Sequence, residues 1–295
     1  SSYRQGENRM LRGLYTAAAG MVAQQRVHDT VTTNIANLNT TGYKQSNALN
    51  RSFPDMLLSM TGKNDEPSRR IGRLSTGVLA EESIALQVQG DLNKTDRASD
   101  FAIASNIEVA GTVFDASGKS VAEDGTVTYR PQAYFTVQDA DGQTRYTRGG
   151  QFHLAADGSL LTADGSAVLG KNNRPVTFPA GTSMDSLKLN GAYDFTDADG
   201  VATGRSLLIT RVDRVQDLIR EGDGKFRLDG QGGAAPATAA DGVEVRQGYT
   251  ERSNVDATQA MVDMMGALRA YEANQKVVQY YDKSLEKAVN EVGKV

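Results

Sequence analysis

The sequence contains no cysteine and no tryptophan. The first absence excludes disulfides, thiolate metal sites and cysteine nucleophiles together. Histidine is nearly as scarce: His28 and His153 are the two in 295 residues, too few for a histidine-rich metal centre. Aromatic residues make up 6 % and hydrophobic residues 39 %, a composition of modest cores and much solvated surface. No apolar run approaches the roughly 18 residues of a membrane span, and no signal-peptide hydrophobic region is present. The chain therefore either stays inside or leaves by a route that reads no cleavable signal. A net charge of −4 and a pI of about 5.4 argue against nucleic-acid binding.

Charge divides what is present. Residues 1–85 carry 7 acidic and 10 basic side chains, residues 86–246 carry 22 and 16, and residues 247–295 carry 7 and 6. This gives five segments: a polar, patternless leader over 1–9 that reads as a vector remnant before Met10, a helical region over 10–60, a mobile linker over 61–85, a β-rich middle domain over 86–246 and a helical region over 247–295. Within the linker, Thr61 to Arg73 holds Pro67 and the Arg69-Arg70 pair and reads as a loop. Gly230 to Ala240, rich in Gly and Ala, reads the same way.

From Leu11 a 3-4 spacing runs through Leu14, Ala18, Met21, Gln25, His28, Thr32 and Ile35, the pattern of a helix with one seam. It breaks at Asn37 to Gly42, where Asn and Gly supply turn chemistry. At the other end Ser253-Asn254-Val255-Asp256 resembles a capping box with Asp in place of Glu. A second seam follows through Ala257, Met261, Met264, Leu268, Tyr271, Val278, Tyr281, Leu285, Ala288 and Val292, interrupted by Gln275. Two long one-sided helices need partners for their stripes, and the simplest partners are each other. The expected fold class is therefore α+β: long N- and C-terminal helices paired as a coiled coil, with a β-rich middle domain of short strands. In the plainer alternative both helices fold onto the core of an ordinary domain.

The middle is punctuated by Asp-Gly turns at 141–142, 157–158, 164–165, 199–200 and 241–242, flanked by short alternating runs such as Tyr134-Phe135-Thr136-Val137. Asp139-Ala140-Asp141-Gly142 and its counterpart at 197–200 lack the glycine and glutamate positions of an EF-hand loop and read as hairpin turns. Ser284-Leu285-Glu286-Lys287 matches Ser-x-x-Lys but lies mid-helix with no Lys-Thr-Gly to accompany it. There is no P-loop, dinucleotide fingerprint or nucleophile elbow. His28 sits in the first seam, and His153 alternates with Phe152 and Leu154 in a strand-like run. The residues themselves give no catalytic, cofactor or metal site.

The ends of the chain resemble the flagellar rod and hook axial family. At the N-terminus the resemblance rests on Leu11-Arg12-Gly13-Leu14-Tyr15-Thr16-Ala17-Ala18-Ala19-Gly20-Met21, Asn34-Ile35-Ala36-Asn37 and Thr41-Gly42-Tyr43-Lys44. At the C-terminus it rests on Gln247-Gly248-Tyr249, Glu251, Ser253-Asn254-Val255 and Arg269-Ala270-Tyr271-Glu272-Ala273-Asn274. Internal matches are Gln89-Gly90-Asp91-Leu92, Thr95, Asp100-Phe101-Ala102-Ile103 and Tyr146-Thr147-Arg148-Gly149-Gly150-Gln151-Phe152. The length, together with Phe53-Pro54-Asp55-Met56-Leu57-Leu58, is most similar to the distal-rod-like members of Bacillus-type bacteria. The resemblance departs after Asp100-Phe101-Ala102-Ile103, where some thirty residues with an extra hairpin precede Tyr134.

The resemblance implies a structural subunit of the flagellar basal-body axis, without enzymatic activity or cofactor. It implies helical polymerisation through the terminal helices into a tube that transmits torque and encloses the export channel. Implied partners are further copies, other axial proteins and the flagellar type III export apparatus, with no nucleic acid and no membrane insertion. Its expected assembly residues are Leu11, Leu14, Ala18, Met21, Ile35, Met261, Met264, Leu268, Tyr271, Val278, Tyr281 and Leu285. Its motif residues are Asn34, Asn37, Gly42, Gln247, Gly248, Ser253, Asn254, Tyr271 and Glu272. Two readings compete: a secreted binding or adhesive module using the β domain, and a hydrolase built on carboxylates such as Asp213 and Glu221.

Overall fold

The computed structural model describes residues 2–48, 50–52, 56–60, 69–74, 78–80, 84–230 and 233–292, with side chains over 12–48, 85–230 and 233–290. It divides into two units. The first comprises Ser1–Ile35, Ser46–Ile84 and Ala257–Val295; the second comprises Ala36–Gln45 and Ala85–Asp256.

In the first unit, α1 (Ser2–Ala36) and α2 (Ala257–Val292) are single helices of 35 and 36 residues, each about 50 Å long. α1 begins eight residues before Met10, since residues 2–9 contain no proline and a single glycine, Gly6, to oppose the helix. α2 starts one residue after Asp256, so Asp256 and not Ser253 holds the position next to the helix. Short antiparallel pairs accompany the helices, among them Asn50–Ser52 with Val78–Ala80, and Met56–Met60 with Arg69–Leu74, the latter irregular at Leu58/Ser59. Of the stretch read as a loop, residues 61–68 lie outside the described residues, as do Phe53, Pro54 and Asp55.

Burial along the helices corrects the expected fold class. The two long helices and the β-rich middle are present, but a coiled coil along the expected seam is not found. In such a coil the a and d side chains would be enclosed, whereas Ala18 is exposed and Met261 and Leu268 are 55 % and 43 % exposed. Leu14, Met21, Ile35, Met264, Tyr271, Val278, Tyr281 and Leu285 are only half-buried, and the side chain of Leu11 lies outside the described residues. The buried positions are instead the small neighbours: Ala17, Ala23, Val31 and Asn34 on α1, Ala260 and Ala267 on α2. The physical reason is size. A Cβ on Gly13 would stand 2.2 Å from Tyr281 Oη, and one on Gly20 would stand 2.8 Å from Asn274 Nδ2. At these points a glycine on α1 lies against a larger side chain on α2, while the expected apolar seam residues are half-buried or exposed.

The second unit is built on a nine-stranded sheet. Its central strand, Gln132–Gln138, pairs antiparallel with Thr144–Thr147 (Phe135 opposite Thr147), with Ile209–Val212 (Tyr134 opposite Thr210) and with Ala167–Val168 (Val137 opposite Val168). Both faces of this strand are covered, and the period-two alternation sorts its side chains. Ala133, Phe135 and Val137 enter the larger core with Phe101, Ile103, Phe152, Phe178, Phe195 and Leu207. Tyr134 enters a smaller one with Val212, Val215, Leu218 and Phe226. Edge-on ring contacts join Phe135 to Phe152 and Phe178 to Phe195 at 5.1 and 5.3 Å, so a few phenylalanines fill the core without tryptophan.

The Asp-Gly segments form the turns their spacing predicts. Asp139 Oδ1 accepts from the N–H groups of Asp141 and Gln143 at 3.0 and 2.9 Å, and Asp197 Oδ1 does the same for Asp199 and Val201. The calcium-like carboxylates are thus engaged by their own turns. The segment after Ile103 does carry a hairpin, Lys119–Val121 against Val127–Tyr129, with Glu123 to Gly125 in its turn. In the stretch read as a loop over Gly230 to Ala240, residues 231–232 lie outside the described residues, and Ala234–Pro236 adds to Ile209–Val212 as an edge strand, where proline's missing N–H is harmless.

Candidate functional site

The family motifs converge in the second unit on a buried charge cluster. Glu251, 0 % exposed, lies at the end of the strand Tyr249–Glu251. Its Oε1 accepts from Lys44 Nζ at 2.5 Å and from the Gly90 N–H at 2.8 Å, and its Oε2 accepts from Arg148 Nε at 2.7 Å. The remaining donors are also engaged. Arg148 Nη1 and Nη2 donate to the carbonyls of Ala133 and Ile103 at 2.7 and 3.1 Å, and Lys44 Nζ also donates to Val88 O at 2.8 Å. Lys44 and Arg148 are each 1 % exposed. One carboxylate thus joins residues 44, 90, 148 and 251, four segments scattered along the sequence.

Glycines let the backbones close around this cluster. Gly42 has φ +68° and donates to Glu251 O at 2.7 Å, and a Cβ there would lie 2.6 Å from Gly149 N. Asn254 Oδ1 accepts from Gln45 N at 2.6 Å, while its Nδ2 donates to Leu86 O and Val88 O. Gln247 donates to Ala98 O and Leu187 O and accepts from Leu189 N. Gly248 donates to Asp100 O and accepts from Thr95 N and Asp96 N. Arg220 caps the cluster: it donates to Lys44 O and its guanidinium lies 4.8 Å from the Tyr43 ring and 5.2 Å from that of Phe226.

The other motif residues have local roles. Asn37 accepts from Thr40 through both its carbonyl and its Oδ1, and Ser253 Oγ accepts from Val255 N. In the first unit Asn34, 3 % exposed, exchanges two hydrogen bonds with the backbone of Ser46 at 2.8 and 2.9 Å. Tyr271 is half-buried on α2 and Glu272 is exposed. Lys44, Arg148 and Glu251 lie inside the recognised motifs but outside the expected site. Their signal in the sequence is three charges embedded in glycine- and aromatic-rich runs.

Burial and charge act against each other here. Burial pushes the Glu251 carboxyl up, but the charges of Arg148 and Lys44, the Lys44 hydrogen bond and the Gly90 N–H outweigh it and hold the group below its usual range. Burial brings the Lys44 ammonium down to about 8, with Arg148 adding to the fall and Glu251 opposing it. A carboxyl with a depressed folded pKa contributes stability that is complete above its ordinary value of 4.5 and lost as pH falls through the folded value. The stability gap between the wild type and Glu251→Gln is therefore expected to shrink as pH falls below 4.5. Urea midpoints across that range measure it, and a gap unchanged at pH 3 would contradict the assignment.

The carboxylates considered for hydrolysis are tied up elsewhere: Asp213 pairs with Arg211 at 2.6 Å and Glu221 with Arg227. His153 is exposed on the strand Phe152–Leu154, and His28 is half-buried beside Asp29. Among the described residues no group of three or more His, Cys, Asp or Glu is placed to hold a metal ion.

Three family models match the chain. Residues 14–44 match "Flagella basal body rod protein", residues 131–195 the "Flagellar hook protein FlgE/F/G D1 domain", and residues 246–291 "Flagellar basal body rod FlgEFG protein C-terminal". The chain is 34 % identical to the flagellar hook-basal body complex protein FlhO of Bacillus subtilis over 291 residues, covering 97 % of this chain and all of that protein. It is 32 % identical to the flagellar basal-body rod protein FlgG of Agrobacterium fabrum, covering 92 % and 96 %. Identity to the Bacillus subtilis FlgG is 29 %, covering 95 % and 99 %.

Proposed function

The chain belongs to the family of flagellar basal-body rod and hook proteins and is a structural component of the flagellar axis, and on that premise we propose that it polymerises helically through α1 and α2. The polymer is a tube around the export channel, and the β-rich unit lends it stiffness against torque. The subunit arrives unfolded through the flagellar type III export apparatus, contacts other axial proteins at the ends of its segment and carries out no catalysis. One observation carries the assembly reading. Large apolar side chains stand exposed along both helices, among them Tyr15 at 76 %, Val22 at 56 %, Met265 at 52 % and Tyr280 at 71 %. Exposed apolar surface of this extent on a protein marks an interface, and a head-to-tail contact that does not close on itself generates a filament.

The test follows from the exposure of Met261 and Leu268. A charge at an exposed position leaves folding within about 0.5 kcal/mol of the wild type, but a charge in an apolar interface is costly. Met261→Asp/Leu268→Asp is expected to melt like the wild type and to lose concentration-dependent filament formation, seen by sedimentation and negative-stain microscopy. Filaments of normal length from a normally melting variant would remove these helix faces from the assembly.

A further inference from the structure

We propose that the Lys44–Glu251–Arg148 cluster is a folding gate, which makes closure of the β-rich unit wait for residues 247–254. The cluster holds two cations and one carboxylate, and the carboxylate lies in the last segment of that unit in chain order. Arg148 is enclosed by the carbonyls of Ala133, in the central strand, and of Ile103, in Phe101–Ser105. A sheet closed around those strands without Glu251 leaves Arg148 Nε as a buried charge with no partner, facing a second buried cation. Removing one member of such a pair is strongly destabilising because the survivor stays buried and uncompensated.

The same segment supplies more than the charge. Val243–Gln247 pairs with Phe101–Ser105, and Tyr249–Glu251 pairs with Leu92–Lys94. The Glu251 and Asp91 carbonyls accept from Gly42 and Arg252. Backbone pairing and charge compensation therefore arrive together, and partial closure gains neither. An apolar core at this place would gain burial step by step. A charged one rewards only the complete arrangement, which is how buried polar groups impose specificity where they do so. The gate belongs to the single chain and does not depend on how copies assemble.

Pulse-labelled amide exchange during refolding of the full chain tests it. The amides of Thr136 and Leu169, which report on the central sheet, are expected to gain protection in the same phase as those of Gly42, Thr95 and Arg252, which report on closure. In Lys44→Met/Arg148→Met/Glu251→Met the sheet amides are expected to gain protection at least tenfold earlier than the closure amides. Sheet amides protected tenfold ahead of closure in the wild type, or a single shared phase in the triple variant, would overturn the gate. Should the triple variant not fold, the wild-type order decides, together with native-state exchange in Glu251→Gln. That variant is expected to lose protection throughout the sheet, and a sheet protected at the wild-type level with loss confined to residues 243–254 would overturn the proposal.

Discussion

Glu251→Gln unfolds the β-rich unit at a denaturant concentration well below that of the wild type, with a loss of about 3–5 kcal/mol. Glutamine has nearly the same volume and keeps an acceptor for the Gly90 N–H, so neither cavity nor backbone strain contributes. What changes is charge. Lys44 and Arg148, each 1 % exposed, remain within hydrogen-bond reach of a neutral amide, whose Nε2 donates where the carboxylate accepted. Lys44 can respond by giving up its proton, since burial has already brought it down to about 8; Arg148 cannot, because a guanidinium stays charged in a protein. The comparison with Asp194 sets the scale. Its pairing with Lys171 also joins separate segments, but its carboxylate is 39 % exposed and the ammonium 44 % exposed, and solvent reduces what such a pair contributes. Asp194→Asn is expected to cost under about 1 kcal/mol. Equal losses for the two variants, read from urea midpoints at pH 7, would show that burial is not what gives the cluster its weight.

The helices, the turns and the central strand were legible because each follows a local rule. Leu11 to Ile35 repeats at 3-4 spacing, Asp139 and Asp197 sit where a short acceptor can close its own turn, and Tyr134 to Val137 alternates in a β-rich setting. The seam on α2 is misplaced because hydropathy ranks Met261 and Leu268 above Ala260 and Ala267, whereas Met261 and Leu268 are 55 % and 43 % exposed and the two alanines are buried. The cluster stayed hidden for a different reason. Its members are 104 and 103 residues apart in sequence, and nothing local distinguishes a charge that will be enclosed from one that stays in water. Only the glycines beside them, Gly42, Gly90 and Gly149, hint that backbones pass closely there. α2 does start directly after the Ser253-Asn254-Val255-Asp256 segment, but nothing local signals what Asn254 does within it: it bonds the backbone of Gln45, Leu86 and Val88.

Gly150→Ala is expected to lower the melting temperature of the same unit by several degrees, through sterics alone. The backbone at Gly150 is not in the left-handed region, so conformational freedom is not the reason a glycine stands there. A Cβ would lie 1.7 Å from Phe101 O, 2.7 Å from Phe101 C and 3.0 Å from Phe135 Cε2. The first two are backbone atoms that no side-chain rotation can move. Phe101 is 0 % exposed and donates to Gly150 O at 2.9 Å, so making room separates a hydrogen-bonded pair and shifts a ring that stacks on Phe152 at 5.7 Å. Overpacking of this kind costs about 3 kcal/mol at the upper end of its usual range, which corresponds to roughly 6–12 °C for a unit of this size. Gly165→Ala serves as the contrast. Its φ of +89° is strained for alanine, yet nothing lies within 4 Å of the added methyl, and the expected cost is only about 1–2 kcal/mol. A Gly150→Ala protein that melts no lower than Gly165→Ala would mean that the strands beside Arg148 have slack. In that case the charge cluster is held by its own ion pairs, not by the tight packing of the backbone around it.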